Sequence, residues 1–367
     1  MNLTLSIEQN QLRDSVARFV ADHGVHGALA GEAASGTDFR RDLWKNMAEL
    51  GWLGAGLSEE EGGFGGGPVE TMIVIEEIGR GLMPEPFLPA VVAARLLAAA
   101  QPGSALLAAL VAGEELIVPV LDDEHSGEGV RLSGDEGARR LSGRSTLVVA
   151  GGEADRFIVS CTMPDGAPAL VAIAANTAGV GICGYRTLDG RHAATVTFAD
   201  APVPEAAILA RGEEAAAALA AARQVALAAL CAEVLGVAEF LFAQTLDYLK
   251  TRRQFGQPIG RFQALQHRMA DMFVALEEAR SLALMATVRL ASGETGQIDR
   301  DLSAAKIGAV ARALHIGREA IQLHGGVGMT QELPIGAGFK RIKALELMFG
   351  DENHHLDRMA ASMPSAA

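Results

Sequence analysis

Residues 347 to 355, LMFGDENHH, put four ionisable side chains directly after an apolar Phe-Gly step. Helical spacing would set Asp351 and His355 on one face with His354 beside them, which is an incomplete metal set. No Cys/His cluster elsewhere completes it: Cys161, Cys183 and Cys231 are widely separated, and His23, His26 and His125 are scattered. No metal is therefore expected. An acid–base site and a plain helix end remain as readings of the same stretch. Two further motifs carry chemistry. RRQFGQPIGRFQ (Arg252 to Gln263) falls where one long helix gives way to the next, so adjacent guanidinium groups project from a turn. They could bind an anion, or could simply be cations favoured at a helix C-terminus by its dipole. QLHGGVGMTQE (Gln322 to Glu332) ends a helix in two glycines. One would cap the helix, whereas two also let a ligand come close to the backbone.

Other reactive constellations are missing. EEEGGFGGG (Glu59 to Gly67) has no Lys-Ser or Lys-Thr after its glycines and so reads as a turn, not a P-loop. No G-x-S-x-G nucleophile elbow is present.

The elements that must position these motifs are set by periodicity. Ser6 with Gln9 fits a capping box, and Leu12, Val16, Phe19 and Val20 recur at helical spacing, so a helix begins near residue 6. Helical patterns around Phe39 to Leu50, Val69 to Gly81 and Pro89 to Ala100 make residues 1–113 a helical domain. From Glu114 the texture changes to short β-rich runs, ELIVPV, RSTLVVA, RFIVS, ALVAIA and HAATVTFAD, so residues 114–212 read as a small antiparallel barrel or sandwich. Strong helix formers return after Gly212, through Phe262 to Leu290 and Leu302 to Gln322, making 213–367 a second helical domain. Only the tail MPSAA looks disordered.

Composition narrows the function. A chain of 367 residues, 49% hydrophobic, has apolar side chains for more than one core. Its net charge of −14 argues against a nucleic-acid partner, because neutralising phosphates needs a basic face. The N-terminus has polar residues where a secretory signal would be apolar, and charges interrupt each apolar window, so a cytoplasmic protein without a membrane span is expected. The three separated cysteines read as buried structural thiols.

Taken together, SIEQNQLRDSVARF, EEEGGFGG with ETMIVIEEIGRG, ATVTFADAPVP, YLKTRRQFGQPIGRFQ and AIQLHGGVGMTQELPI resemble the acyl-CoA dehydrogenase family over nearly the whole chain. The resemblance implies an α+β fold: an N-terminal helical domain, a middle β-barrel and a C-terminal four-helix bundle. It implies FAD as cofactor, with an acyl-CoA thioester oxidised at its α,β bond. It also implies that Arg252, Phe255, Gln322, Gly325 and Gly326 hold the pyrophosphate and adenosine of FAD across a subunit interface.

Three departures from the family pattern stand out. VPVLDDEHSGEG replaces the T-E-P-x-A-G-S-D segment, and Leu147, Val148 and Val149 replace the W-I-T strand that holds the flavin ring. Phe349 falls where most relatives carry the glutamate that removes the α-proton, and Ala226 falls at the alternative position. No catalytic residue is therefore assigned, although Asp351 and Glu352 lie just beyond Phe349. These departures imply a non-catalytic subunit, and MFGDENHHL with GMT after the double glycine resembles the small subunit of pimeloyl-CoA dehydrogenases. It would complete the FAD site of a homologous catalytic partner, in a four-chain assembly acting on fatty-acid or steroid side-chain thioesters. The alternatives are a self-sufficient homo-oligomeric dehydrogenase using Asp351 or Glu352, and a flavin-dependent monooxygenase of the same fold.

Overall fold

The computed structural model describes residues 4–24, 39–121, 129–293, 296–330 and 332–362. The tail MPSAA, His26, His125 and most of the DDEHSGEG stretch lie outside them. Helices come first, then strands, then helices again, in the order expected. The chain divides into two compact units, each drawn from separate stretches. One comprises Met1–Gly36, Pro68–Met83 and Leu227–Ala367; the other comprises Thr37–Gly67 and Pro84–Ala226.

The first unit is helical. Helix α1 (Ile7–His23) opens on the expected capping box, Ser6 accepting from the Gln9 backbone N–H and Gln9 from that of Ser6. Helix α3 (Pro68–Arg80) crosses α6 (Gly212–Thr251) at glycines: a Cβ at Gly79 would lie 2.5 Å from the Glu233 carbonyl oxygen, so only glycine lets the backbones approach this closely. Arg80 ties the crossing by pairing with Glu76 and Glu77 of its own helix and with Glu239 of α6, which Arg280 also meets at 2.7 Å. Helices α7 (Gln263–Ala291) and α8 (Ile298–His324) pack along each other, and α9 (Ile335–Leu347) and α10 (Glu352–Ala361) lie against α8.

At 40 residues α6 is about 60 Å long. By length and composition its apolar stretch would span a membrane, but that stretch is mostly buried within the protein, as a core helix would be. Burial is thus a better reason than its interrupting charges for reading α6 as part of the core.

The second unit contains α2 (Arg41–Glu49), α4 (Phe87–Ala100) and α5 (Ala105–Val111). Its strands are β1 (Ile117–Val120), β2 (Arg131–Ser133), β3 (Arg140–Val149), β4 (Arg156–Thr162), β5 (Pro168–Ala174), β6 (Val180–Arg186), β7 (His192–Pro202) and β8 (Ile208–Arg211). They form one eight-stranded sheet in the order β6-β7-β3-β2-β4-β5-β8, with β1 paired to β4 beside this path. Most neighbours pair antiparallel, among them the sequence-distant β3 and β7. The purely antiparallel expectation fails at β4, where β1 and the short β2 both run parallel to it. FIVSC and ALVAI, in β4 and β5, are buried on both faces, which explains their unbroken apolar runs. Strand β6 ends the path and is exposed almost throughout. That placement corrects the reading of Cys183 as buried: it is exposed on β6, while Cys161 and Cys231 are buried and desolvation pushes each thiol up to about 12.

Candidate functional site

Helix α6 ends at Thr251, where the Arg252 N–H still donates to the Tyr248 carbonyl at 2.8 Å. The chain then makes a hairpin of two-residue strands, β9 (Arg253–Gln254) and β10 (Gln257–Pro258). Its connecting residues, Phe255 and Gly256, have φ of 51° and 79°, the left-handed pair that a tight hairpin turn needs. Glycine takes such a turn freely, but phenylalanine does so only against strain. Phe255 is also 90% exposed, so the turn holds a large apolar ring out to solvent. The Arg253 guanidinium donates back to the Gly256 carbonyl at 3.2 Å, whereas the exposed Arg252 guanidinium makes no ion pair or hydrogen bond among the described residues.

The second glycine-rich turn closes α8. Gly325 has φ 65° and donates its N–H to the carbonyls of Ile321 and Gln322, the C-cap expected from sequence. Gln322, Gly325 and Gly326 are exposed, and a Cβ added to either glycine would meet nothing within 4 Å. Within the chain these glycines are therefore not needed to relieve crowding. The two turns are tied together by a stack: the rings of Tyr248 and His324 lie 4.4 Å apart at 27°, and the Tyr248 hydroxyl donates to the His324 carbonyl at 3.4 Å. His324 Nδ1 donates to the Ala320 carbonyl at 2.8 Å, and burial lowers the ring's pKa below its ordinary value. Sequence reasoning names Arg252, Phe255, Gln322, Gly325 and Gly326 as the cofactor-binding candidates and does not name the stacked pair. The signal was there: an aromatic one turn before Arg252 and another directly before Gly325.

LMFGDENHH is a helix end held in part by its own Asp351 and His355. Helix α9 stops at Leu347, Phe349 and Gly350 take φ of 58° and 98°, and Asp351 caps α10 by accepting from the His354 N–H at 2.9 Å. Two buried side chains of α8 and α10 then clamp the turn. Lys306 Nζ donates to the carbonyls of Glu346 at 3.1 Å, Met348 at 2.8 Å and Gly350. His355 Nε2 meets the Phe349 carbonyl at 3.1 Å and its Nδ1 meets the Ser303 hydroxyl at 3.0 Å. Because a carbonyl only accepts, Nε2 carries the proton and Nδ1 accepts from Ser303. Burial, and then the nearby Lys306 charge, pulls the His355 pKa down to about 4, so the ring is neutral at pH 7. Burial likewise draws Lys306 down to about 8. No group of three metal-ligating side chains occurs among the described residues.

Glu233, seven residues after the fully buried Ala226, pairs with Arg341 at 2.7 Å, both nearly inaccessible. On β3, Leu147 is exposed and Val148 buried, and neither offers a hydroxyl or an indole. The clamp residues Ser303, Lys306 and His355 were not foreseen; a lone lysine inside the apolar run SAAKIGAV was the available sign.

Comparison with known proteins agrees with this layout. Residues 6–106 match the acyl-CoA dehydrogenase N-terminal domain, and residues 207–363 match the acyl-CoA dehydrogenase C-terminal domain. Acyl-CoA dehydrogenase IpdE2 of Mycobacterium tuberculosis (strain ATCC 25618 / H37Rv) is 32% identical over 91% of this chain and 90% of its own. Among solved structures, a variant of the Tcur3481-Tcur3483 steroid ACAD is 31% identical with a TM-score of 0.85, covering 98% of both chains. The ChsE4-ChsE5 complex from Mycobacterium tuberculosis is 26% identical with a TM-score of 0.86, covering 100% of both. The chain belongs to the acyl-CoA dehydrogenase family.

Proposed function

We propose that this chain is the base-deficient subunit of an FAD-dependent acyl-CoA dehydrogenase, lending its diphosphate-binding turns to a homologous catalytic partner. The observation that carries the reading is the contrast between the turns after α6 and α8 and the turn after α9. Arg252, Gln322, Gly325 and Gly326 stand open toward solvent, the Arg252 guanidinium unspent among the described residues, while Phe349 occupies the turn to which the family resemblance assigns the base. A guanidinium can pair two phosphate oxygens at once, and glycines without Cβ let backbone N–H groups reach a diphosphate. Phe255 supplies an apolar face beside them, and the Tyr248–His324 stack holds the two turns in register.

Bound FAD supplies the hydride acceptor for desaturation of the thioester. This chain's own residues bind and orient it: Arg252 neutralises the diphosphate, Gln322 hydrogen-bonds it, and Gly325 and Gly326 admit it. Removal of the α-proton falls to the partner, since neither Phe349 nor Ala226 can accept one. Asp351 is committed to capping α10 by its bond to His354, which weighs against its substitution for the base. The names of the two structural neighbours each pair two proteins, in keeping with a two-chain assembly. The assembly is a cytoplasmic tetramer, with residues 1–113, 114–212 and 213–367 as this chain's three domains, and the steroid label of one neighbour favours a steroid side-chain thioester.

The test is to produce the chain alone and together with a base-bearing homologue, then record flavin absorbance, mass and turnover. Colour and activity in the mixture only are expected. A yellow, active chain on its own would overturn the proposal and favour the self-sufficient homo-oligomer.

A further inference from the structure

Charged side chains of three helices meet where α3 crosses α6 and α7. Arg80 of α3 reaches Glu76 at 2.9 Å, Glu77, and Glu239 of α6 at 3.0 Å. Arg280 of α7 meets the other Glu239 oxygen at 2.7 Å, but it also serves the exposed Glu277, 3.3 Å away. Arg13 of α1 acts on Glu77 through space. Glu233, one turn and a half before Glu239 on α6, pairs with Arg341. Glu76, Glu77 and Glu239 thus lie inside the crossing, their side chains 16%, 3% and 11% exposed. Facing them at contact distance are Arg80 and a shared Arg280, so the cluster holds more carboxylates than cations.

Glu76 and Glu239 both accept from Arg80 Nη2, which makes their oxygens close neighbours. The helices cannot ease them apart, because the backbones touch at this level. A Cβ on Gly236 would strike the Glu76 carbonyl oxygen, and one on Gly79 would strike that of Glu233. Two carboxylates held together away from water do not both ionise readily at neutral pH. Burial, and then the Glu239 charge, pushes Glu76 up to about 7, and burial raises Glu77 as well.

We propose that this crossing is a proton-gated joint: Glu76 and Glu239 share one proton near neutral pH, and its loss in alkaline solution loosens α3 from α6. The joint fastens residues 68–83 onto the C-terminal helices of the same unit. An ordinary glutamate titrates near 4.5, so between 4.5 and about 7 the joined form holds a proton that the open form does not. The joint is therefore tightest at the lower end of that window and weakens as pH rises through 7. His355, whose pKa is lowered, has the opposite dependence, which separates the two.

Amide hydrogen exchange of the full chain, corrected for the intrinsic pH dependence of exchange, follows the joint through α3. Protection there should fall about tenfold between about pH 6 and pH 8, the change expected when one proton with a pKa of about 7 is held by the joined form alone. Protection of α8 should stay level over the same range. Glu76→Gln and Glu239→Gln each remove the surplus charge while keeping an acceptor for Arg80. Either should flatten the dependence and, at the alkaline end, protect α3 better than the wild type does. His355→Gln should leave the dependence in place. Constant protection of α3 in the wild type needs no variant to fold and would overturn the joint by itself. A decline that survives both glutamine variants would overturn it too, since the carboxylates would then be ionised partners of Arg80 and Arg280 only.

Discussion

The turns that end α6 and α8 differ from the one that ends α9 in where their polar groups go. At the ends of α6 and α8, Arg252, Gln322, Gly325 and Gly326 face outward with open space before them. At the end of α9, Lys306 and His355 engage the carbonyls of residues 346, 348, 349 and 350 from within the chain, and a Cβ on Gly350 would strike the His354 ring. Backbone that is saturated from within the chain serves the fold, whereas an exposed guanidinium beside open glycines, without a side-chain partner among the described residues, is available to something else. The contrast also separates two uses of left-handed backbone. Gly350 is glycine because nothing larger fits, and Phe255 is strained while presenting its ring to solvent.

Substitutions that should break this contrast begin with the open turn. Arg252→Ala should lower the flavin content of the assembled complex about tenfold or more, because a charge-assisted contact to a diphosphate is lost, while the assembly mass stays unchanged. Native mass spectrometry with flavin absorbance measures both. If flavin content held, the diphosphate role of Arg252 would be wrong.

In the closed turn the loss should appear in stability. Gly350→Ala forces a side chain into left-handed backbone and into the His354 ring, and should cost about 2 kcal/mol or more. Thermal unfolding should show it, and flavin content at matched folded protein should not change. Lys306→Met removes the donor to three carbonyls and should cost ~1–3 kcal/mol, partly offset because no charge is then buried. An unaltered melting temperature would mean that the clamp is not needed.

The smallest expected effect is a pH dependence. His355 has its pKa lowered from 6.5 to about 4 in the folded protein, so the unfolded chain binds the extra proton between those values. Stability from the neutral ring is therefore fully present above pH 6.5 and is lost as pH falls toward 4. Comparing melting curves of wild type and His355→Gln across that window should show a steeper decline in the wild type; parallel curves would contradict the clamp's neutral histidine.

The order of elements was legible because α1, α3 and α6–α8 carry long helical periods, and because β4 and β5 are short apolar runs bounded by turn residues. The parallel pairing of β1 and β2 with β4 was not, since register between distant strands leaves no local mark. At the candidate site, the residues that depend on exposure or on positive φ, Arg252, Phe255 and the glycine pair, sit in recognisable strings. Those that work by meeting across helices, Tyr248 with His324, Ser303 with His355, and Lys306 with the carbonyls at the end of α9, become neighbours only once these helices pack. The two histidines of LMFGDENHH looked like candidate ligands in one dimension, and packing shows that His355 is a bolt.

The central claim is that this chain cannot remove the α-proton of a thioester. It is tested most directly by assembling the chain with a partner whose own base has been changed from Glu to Gln. Deuterium entry at the α-carbon of an acyl-CoA in D2O is then followed by mass spectrometry. The account predicts neither deuterium entry nor flavin bleaching, with both restored when the partner's base is returned. Exchange at the wild-type rate with the partner's base removed would place a working base in this chain and contradict the account.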